Sequence, residues 1–355
     1  MKKCTIVVLL FLTLIVSGCG RQPTKNSNPT STEQMAEDIF TIPTENSTLP
    51  TNPIQDAGSS VRIVNDVQQD EAGYYLVYEG GEMHLKLQMC AMDLEDKNFG
   101  IHLYVDDQPQ PYYTDGDRNP KYMHTFSSMN GREFTLDLIF TPVTGQAGDV
   151  LEIGFAAIAN PEYSPAGSEG LEEITMIDWS CMGMTVRTKF LADPPDSMIP
   201  DVLDRVSDHI VEHIDLTAAE AELLSLDEHQ KEVEYAIYVS SQKDYGNLFS
   251  VKPEDILDVE FNLKGSTVPN FGLVLYLDHQ PVSITDEDLI FACTENGKRV
   301  VIRAQVDLSG FDGECVFYAV LVPRNYRIDQ LGGSCSVTIL GPWYLSSAES
   351  LEAIH

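Results

Sequence analysis

The chain has 355 residues, which suggests two or three domains, and its formal net charge is -33 with a pI near 4.3. A charge of this sign and size repels phosphates and anionic lipid headgroups. The composition therefore excludes nucleic acid as a partner and electrostatic attachment to a membrane, and it favours the binding of cations.

The N-terminus has the pattern of an export signal. Lys2 and Lys3 precede an apolar run at residues 6–16, which is shorter than the roughly 20 residues needed to span a bilayer. The run ends in Val16-Ser17-Gly18-Cys19. These residues resemble the lipobox of bacterial lipoproteins, in which the cysteine thiol receives a diacylglyceryl group and the chain is cut just before it.

The resemblance implies that residues 1–18 are a signal peptide and that Cys19 is the lipidated first residue of the mature chain. The lipid would hold the protein in the cell membrane, facing outside the cytoplasm. Loss of the two lysines would change the net charge from -33 to -35. The alternative is an ordinary secretory signal that contains a cysteine by chance.

Residues 19–60 predict a disordered tether. Five prolines lie among threonine, serine and asparagine, with few large apolar groups to offset the entropy of ordering. As a flexible coil, about 40 residues would average roughly 35 Å from end to end.

Beyond Ser60, apolar residues alternate with polar ones in short runs bounded by Gly, Asp, Asn or Pro. This period of two is typical of half-buried antiparallel strands, so we predict an all-β fold. The clearest runs lie at residues 83–90, 99–106, 134–140 and 151–157.

One of these runs occurs twice. The segment 98–109 reads NFGIHLYVDDQP, and the segment 270–281 reads NFGLVLYLDHQP, with eight of twelve positions identical. The same offset of 172 pairs Leu85, Leu87 and Met89 with Leu257, Val259 and Phe261. Trp179 and Trp343 also lie at a similar offset. We infer that one module has been duplicated.

Each module supplies about seven short strands, which suits an immunoglobulin-like β-sandwich in architecture; a jelly roll is the alternative. We predict two homologous modules at residues 61–193 and 232–347, followed by a tail at 348–355. Between them, residues 194–231 carry Val202, Val206, Ile210 and Ile214 at helical spacing, which predicts a short helical connector.

Two segments are weak candidates for metal sites. His209, Glu212 and His213 form H-x-x-E-H, which resembles the signature of the inverted zincins, where a helix brings the two histidines to one zinc. On a strand they would lie roughly 13 Å apart, and a solvated helix flank is the favoured interpretation. Asp115, Asp117 and Asn119 begin like a calcium loop but lack its glycine and glutamate, which favours a polar hairpin tip.

Four aromatic residues are candidates for ligand binding. Trp179 and Trp343, with Tyr112 and Tyr113, could stack on sugar rings. The matching places of the two tryptophans favour a duplicated core position instead. Tyr112 and Tyr113 follow a turn and are the better candidates for an exposed patch.

The cysteine count leaves two interpretations open. Cys90, Cys181, Cys293, Cys315 and Cys335 are odd in number and contain no C-x-x-C, so they fit neither a disulfide scaffold nor a zinc ribbon. Buried free thiols are favoured, and Cys90 with Cys181 is the pair that export would allow to bridge.

The sequence contains no G-x-S-x-G, no phosphate-binding loop and no cysteine with matched catalytic partners. We therefore predict a binding, interaction or structural module at the cell envelope, without a cofactor, whose partner is an unknown envelope protein or glycan. A carbohydrate-binding module is the alternative, and a zinc-dependent hydrolase through His209, Glu212 and His213 is a remote one.

Overall fold

The computed structural model describes residues 60–71, 73–90, 98–127, 133–159, 161–162, 181–196, 199–200, 203–219, 234–239, 248–251, 256–264, 270–283, 298–309, 314–324 and 337–347. The predicted signal peptide, tether and C-terminal tail lie outside these residues. By its contacts the chain divides into Met1–Glu45 and Asn46–His355, and both predicted modules belong to the second unit.

The described part is nearly all β, as predicted, and module 1 is a sandwich of two sheets. Its outer sheet contains, in spatial order, β1 (Ser60–Ile63), β4 (Met83–Cys90), β10 (Glu133–Phe140), β7 (Tyr112–Thr114) and β8 (Asp117–Lys121). Its inner sheet contains β2 (Gln68–Asp70), β3 (Gly73–Tyr78), β12 (Cys181–Phe190), β11 (Val150–Ala159), β5 (Asn98–Val105) and β6 (Gln108–Pro109), and β9 (Met123–Ser127) also pairs with β5.

Module 2 repeats this plan. Its outer sheet contains β14 (Val206–Asp215), β20 (Lys298–Asp307), β17 (Ile256–Lys264) and β15 (Glu234–Val239). Its inner sheet contains β13 (Leu203–Asp204), β19 (Gln280–Ser283), β18 (Asn270–Leu277), β21 (Glu314–Arg324), β22 (Thr338–Ser347) and β16 (Leu248–Val251).

The strand order confirms the immunoglobulin-like architecture. In module 1, strands β1, β4, β10 and β7 stand where an immunoglobulin domain has A, B, E and D, and β5, β11 and β12 stand where it has C, F and G. Strand β3 forms a hairpin with β2 and runs parallel to β12, just as β16 runs parallel to β22 in module 2.

The strand register follows the duplication. The predicted pairs of apolar residues on β4 and β17 are all buried in their sandwiches. Ile153 lies opposite Val105, and Phe317 lies opposite Leu277, so β11 and β21 correspond with an offset of 164. Across the next strand, Val186 faces Ile153 and Trp343 faces Phe317. The register therefore makes Val186 the counterpart of Trp343, where the sequence had suggested Trp179.

The helical prediction for the connector is wrong over residues 203–215. Leu203–Asp204 pairs with β19, and Val206–Asp215 pairs with β20 along its whole length. The valines and isoleucines that suggested a helix are β-branched residues, which favour a strand when a sheet edge is open to them. A helix begins at Ala218 and Ala219, and the rest of the connector, residues 220–231, lies outside the described residues.

The inner sheets are buried on both faces, because they pack against each other as well as against their own outer sheets. Two apolar clusters fill the two sandwiches, and a third lies between the modules. We call this third cluster the shared face; it is formed by Tyr104, Ala156, Ile158, Val274, Tyr276, Val316, Tyr318, Val320, Val322, Val337 and Tyr344. The four sheets therefore form one stack with three apolar layers.

Candidate functional site

The segment that resembles a zinc signature is an edge strand. His209 and His213 are four residues apart on β14, which corresponds to roughly 13 Å along a strand, so they do not converge on one metal. Glu212 instead binds the guanidinium of Arg303 at 2.5 Å, and Arg303 also binds Glu260 at 2.6 Å. Within the part of the chain that the structure describes, no group of three His, Cys, Asp or Glu side chains is placed to hold a metal ion.

The calcium-like segment is the tip of the hairpin formed by β7 and β8. Asp117 accepts hydrogen bonds from Lys121 Nζ at 2.6 Å and from the Asn119 backbone N–H at 3.0 Å, and the Lys121 bond is the main reason why its pKa is lowered. Asp115 accepts one from Arg118 at 3.1 Å. Both carboxylates are thus engaged inside the hairpin, as the polar-tip interpretation expects.

The two adjacent tyrosines lie on opposite faces of β7, because side chains alternate along a strand. Tyr112 is fully buried and donates to the Ile101 carbonyl at 2.8 Å, so its prediction as an exposed binding residue is wrong. Tyr113 is half-buried, hydrogen-bonds to Glu82, and has the Arg118 guanidinium 5.1 Å from its ring centre. It stays a candidate contact.

The tryptophans do not form an exposed platform in the described residues. Trp343 is 9% exposed, belongs to the core of module 2 and packs on Phe317 with ring centres 5.6 Å apart. It therefore serves the core and cannot stack on a sugar. Trp179 lies outside the described residues.

One cysteine can be assigned a state. Cys315 is a buried free thiol, and burial raises its pKa to about 12. Cys90 and Cys181 lie at the end of β4 and the start of β12, in different sheets of module 1, and their side chains are not described. Their pairing stays a prediction; Cys293 and Cys335 lie outside the described residues.

A group of buried, hydrogen-bonded polar side chains lies on the shared face, and the sequence did not predict it. Tyr276 donates to Tyr104 at 2.9 Å, and these two residues occupy equivalent positions of the repeat. Beside them, His102 Nε2 lies 2.5 Å from the Tyr318 hydroxyl, and His279 Nδ1 lies 2.9 Å from the same hydroxyl. Side chains of both modules therefore meet in one hydrogen-bonded cluster.

Burial dominates the electrostatics of this cluster. It lowers the pKa of His102 to about 3, with a further lowering from His279. Burial also lowers the pKa of His279 and raises those of Tyr276 and Tyr318. At neutral pH all four side chains are uncharged, so they bind one another as neutral donors and acceptors.

A buried acid lies on the same side of the inner sheet of module 1. Glu152 is 4% exposed, and burial raises its pKa to about 8 although Arg187 acts in the opposite direction. Asp106 is also buried and raises that pKa further. Glu152 is therefore protonated over most of the neutral range.

The signal for this cluster was present in the repeated segment. Gly100, His102 and Tyr104 take the polar phase of β5, where a solvated face would carry charged side chains. Small, aromatic and weakly polar residues in that phase indicate a second buried face. The alternation along β5 predicts a strand with one solvated face. In the structure all three residues of that face are buried instead.

The comparisons with known proteins give remote structural matches. No family model matches the chain, and neither does any curated protein. The complex of the Salmonella enterica SafA pilin with the SafB chaperone matches at 9% identity and a TM-score of 0.21, covering 81% of this chain and 96% of that one.

Two further solved structures match at the same level. A protein of unknown function from Porphyromonas gingivalis matches at 9% identity and a TM-score of 0.21, over 81% of this chain and 99% of that one. The CsuC–CsuE chaperone–tip adhesion subunit complex of Acinetobacter baumannii matches at 11% identity and a TM-score of 0.18, over 77% and 95%. At these values no function is carried over to this chain.

The described residues also include no helix that is long and apolar enough to cross a membrane.

Proposed function

We propose that this chain is a lipid-anchored protein on the outer side of the cell membrane, where its two sandwich modules bind a protein of the cell envelope. Cys19 carries the lipid and residues 19–60 are the tether. The shared face is the observation that supports this proposal most. Because it covers both inner sheets, contact with a partner falls to the outer sheets, the strand edges and the loops.

The outer face of module 2 favours a partner with basic groups. Asp208, Gln305 and Asp258 form one cross-strand row, and Gln305 donates to Asp258 at 2.8 Å. In the neighbouring rows, Glu212 and Glu260 share Arg303. In these rows Glu212, Asp258 and Glu260 thus outnumber Arg303. The carboxylates lie on β14 and β17 with β20 between them, so the two strands hold them roughly 9.6 Å apart, a spacing at which separate lysine or arginine side chains of a partner can bind them.

Side chains, rather than strand addition, carry the proposed contact. Among the described edge strands β14 is the longest, and a long open edge invites pairing with another chain. However, β14 presents Glu212 and has an irregular register between Val206 and Asp208. Charged side chains and bulges are the features that protect edges from such pairing.

The anchor is tested by comparing two cysteine variants in the native host. We expect wild type and Cys4→Ala to incorporate labelled fatty acid and to sediment with membranes, because Cys4 is lost with the signal peptide. Cys19→Ala should take up no label and leave the membrane fraction. Labelling of Cys19→Ala would contradict the anchor.

The partner is tested by crosslinking whole cells that express the lipidated protein, followed by mass spectrometry. One dominant protein partner is expected, and its yield should fall in the double variant Glu212→Lys and Asp258→Lys, since both carboxylates are exposed on this face. Thr135→Lys is the matched control, since Thr135 is exposed on β10 in the outer sheet of module 1. Recovery of wall glycan alone, or of no specific partner, would contradict the proposal.

A further inference from the structure

A continuous hydrogen-bonded chain crosses the shared face from one backbone carbonyl to another. His102 Nδ1 lies 3.0 Å from the carbonyl oxygen of Tyr122, and His279 Nε2 lies 2.8 Å from that of Pro161. Between the two imidazoles stands the hydroxyl of Tyr318, at 2.5 Å from His102 and 2.9 Å from His279. His102 and Tyr122 belong to module 1, as does Pro161, whereas Tyr318 and His279 belong to module 2.

The two carbonyls determine the positions of the protons. A carbonyl oxygen only accepts, so His102 carries its proton on Nδ1 and His279 carries its proton on Nε2. A neutral imidazole has one proton, and therefore both histidines turn an unprotonated nitrogen toward Tyr318. The hydroxyl has a single proton, so it can donate to only one of the two imidazoles at a time.

An added proton on either imidazole would place a positive charge inside the shared face. His102 is fully buried, and a full charge removed from water loses more than one hydrogen bond returns. A second added proton would leave two imidazolium rings with centres 6.4 Å apart. Both rings can regain water if the two inner sheets separate.

The groups that face the histidines offer little compensation. Around His102 these are Tyr104 of β5, Tyr276 of β18, Tyr318 of β21, the Tyr122 carbonyl and His279. Among the described residues His102 has no carboxylate partner. Around His279 they are Tyr318, the Pro161 carbonyl, the carboxylate of Glu162, which is exposed, and that of Asp278 on the same turn.

We propose that the shared face is an acid-sensitive joint, which stays closed while His102 and His279 are neutral and opens when they become charged. The positions of the chain are those where the two copies of the module have diverged. By register His102 corresponds to Val274, His279 to Asp107, and Tyr318 to Gly154. The joint is therefore specific to this pair of modules, whereas the tyrosine pair beside it keeps the symmetry of the repeat.

The direction of the pH effect follows from the lowered pKa of His102. A histidine whose pKa in the closed form lies below its value in the open form stabilises the closed form above about pH 6.5, and this stabilisation is lost as the pH falls toward 3. At pH 5.0, His102 alone shifts the ratio of open to closed molecules about thirtyfold toward open. Glu152 acts in the opposite sense, because its raised pKa stabilises the closed form as the pH falls.

The test measures the distance between the modules by pulsed electron paramagnetic resonance. Spin-labelled unnatural amino acids replace Lys86 and Asp258, which are exposed on the two outer sheets. The distance distribution is measured at pH 7.5 and again as the pH is lowered to 5.0, without denaturant. Wild type is compared with the double variant His102→Gln and His279→Gln, in which Glu152 and all other groups titrate as before.

The open-to-closed ratio should rise at least about thirtyfold more in wild type than in the double variant. His84→Gln is the control, because His84 is exposed on the outer sheet of module 1 and bound to Asp137; it should respond as wild type does. Equal pH responses of wild type and the double variant would overturn the proposal. If the double variant does not fold, the wild type is tested by nuclear magnetic resonance of labelled histidines. Both imidazoles should take up protons only as the distance between the modules increases. Protonation near pH 6.5 while the modules are still closed would overturn the proposal.

Discussion

Strands β5 and β18 carry nearly the same twelve-residue motif, and the comparison of their two faces separates two kinds of constraint. Toward its own sandwich each strand keeps large apolar residues, such as Leu103 and Leu275, because the cavity between two sheets fixes their volume. Toward the other module the tyrosines Tyr104 and Tyr276 are the same, whereas His102 faces the second module where Val274 faces the first. Duplication preserved the cores and left the contact between the modules free to become asymmetric.

The largest expected effect comes from equivalent core positions of unequal size. Trp343→Ala should lower the free energy of unfolding by about 3–5 kcal/mol, because it leaves a large cavity in the sandwich of module 2. Val186→Ala, at the matching position of module 1, removes two methyl groups and should lower it by about 1–3 kcal/mol. Urea denaturation of both variants measures whether Trp343→Ala is the more destabilising one. Equal losses of unfolding free energy would contradict the expectation that the larger side chain leaves the larger cavity.

A smaller effect is expected at a close approach of the two modules. A Cβ at Gly183 would meet the Val337 carbonyl oxygen, which cannot move as a flexible side chain can. Gly183→Ala should therefore lower the free energy of unfolding by about 1–3 kcal/mol through overpacking of the shared face. Gly116→Ala is the control, because only Thr114 Oγ1 lies near its Cβ, at 3.9 Å, and its effect should stay within about 0.5 kcal/mol.

The two parts of the polar cluster, the Tyr104–Tyr276 pair and the two histidines around Tyr318, should contribute unequally to the free energy of unfolding. Tyr318→Phe removes the hydroxyl that both histidines face and leaves two buried nitrogens without it, so we expect a loss of about 1–3 kcal/mol. Tyr104→Phe removes the acceptor of the Tyr276 hydroxyl and should cost about 1 kcal/mol. If Tyr104→Phe lowered the free energy of unfolding more than Tyr318→Phe, the Tyr104–Tyr276 hydrogen bond would be the main polar contact of the shared face.

The smallest expected effect is on the outer face of module 2. Glu212→Gln breaks the exposed ion pair with Arg303, and Arg303 keeps Glu260 as a partner. We therefore expect no measurable change in the urea midpoint, since exposed ion pairs contribute little. A clear loss of stability would mean that β14 is held mainly by this ion pair rather than by its pairing with β20.

The strands and the repeat could be predicted because a period of two and a matched turn are local signals. The runs at 83–90, 134–140 and 151–157 lie wholly in strands, and the run at 99–106 does so up to Val105. The strand in the connector could not be predicted, because the spacing of Val206, Ile210 and Ile214 fits a helix as well as a strand. The choice depends on pairing with β20, which is a tertiary contact that the local sequence does not contain. The shared face was missed for the same reason: whether His102 and Tyr104 face water or a second sheet depends on how the modules pack.

The central claim is that the shared face joins the two modules into one cooperative unit at neutral pH. The most direct test is urea unfolding at pH 7.5, with pulse-labelling hydrogen exchange read separately on β4 and β10 of module 1 and on β17 and β20 of module 2. The account predicts that the four strands lose protection at one urea concentration with one slope, as a single transition requires. Two separate midpoints, with one module still protected after the other has unfolded, would contradict it.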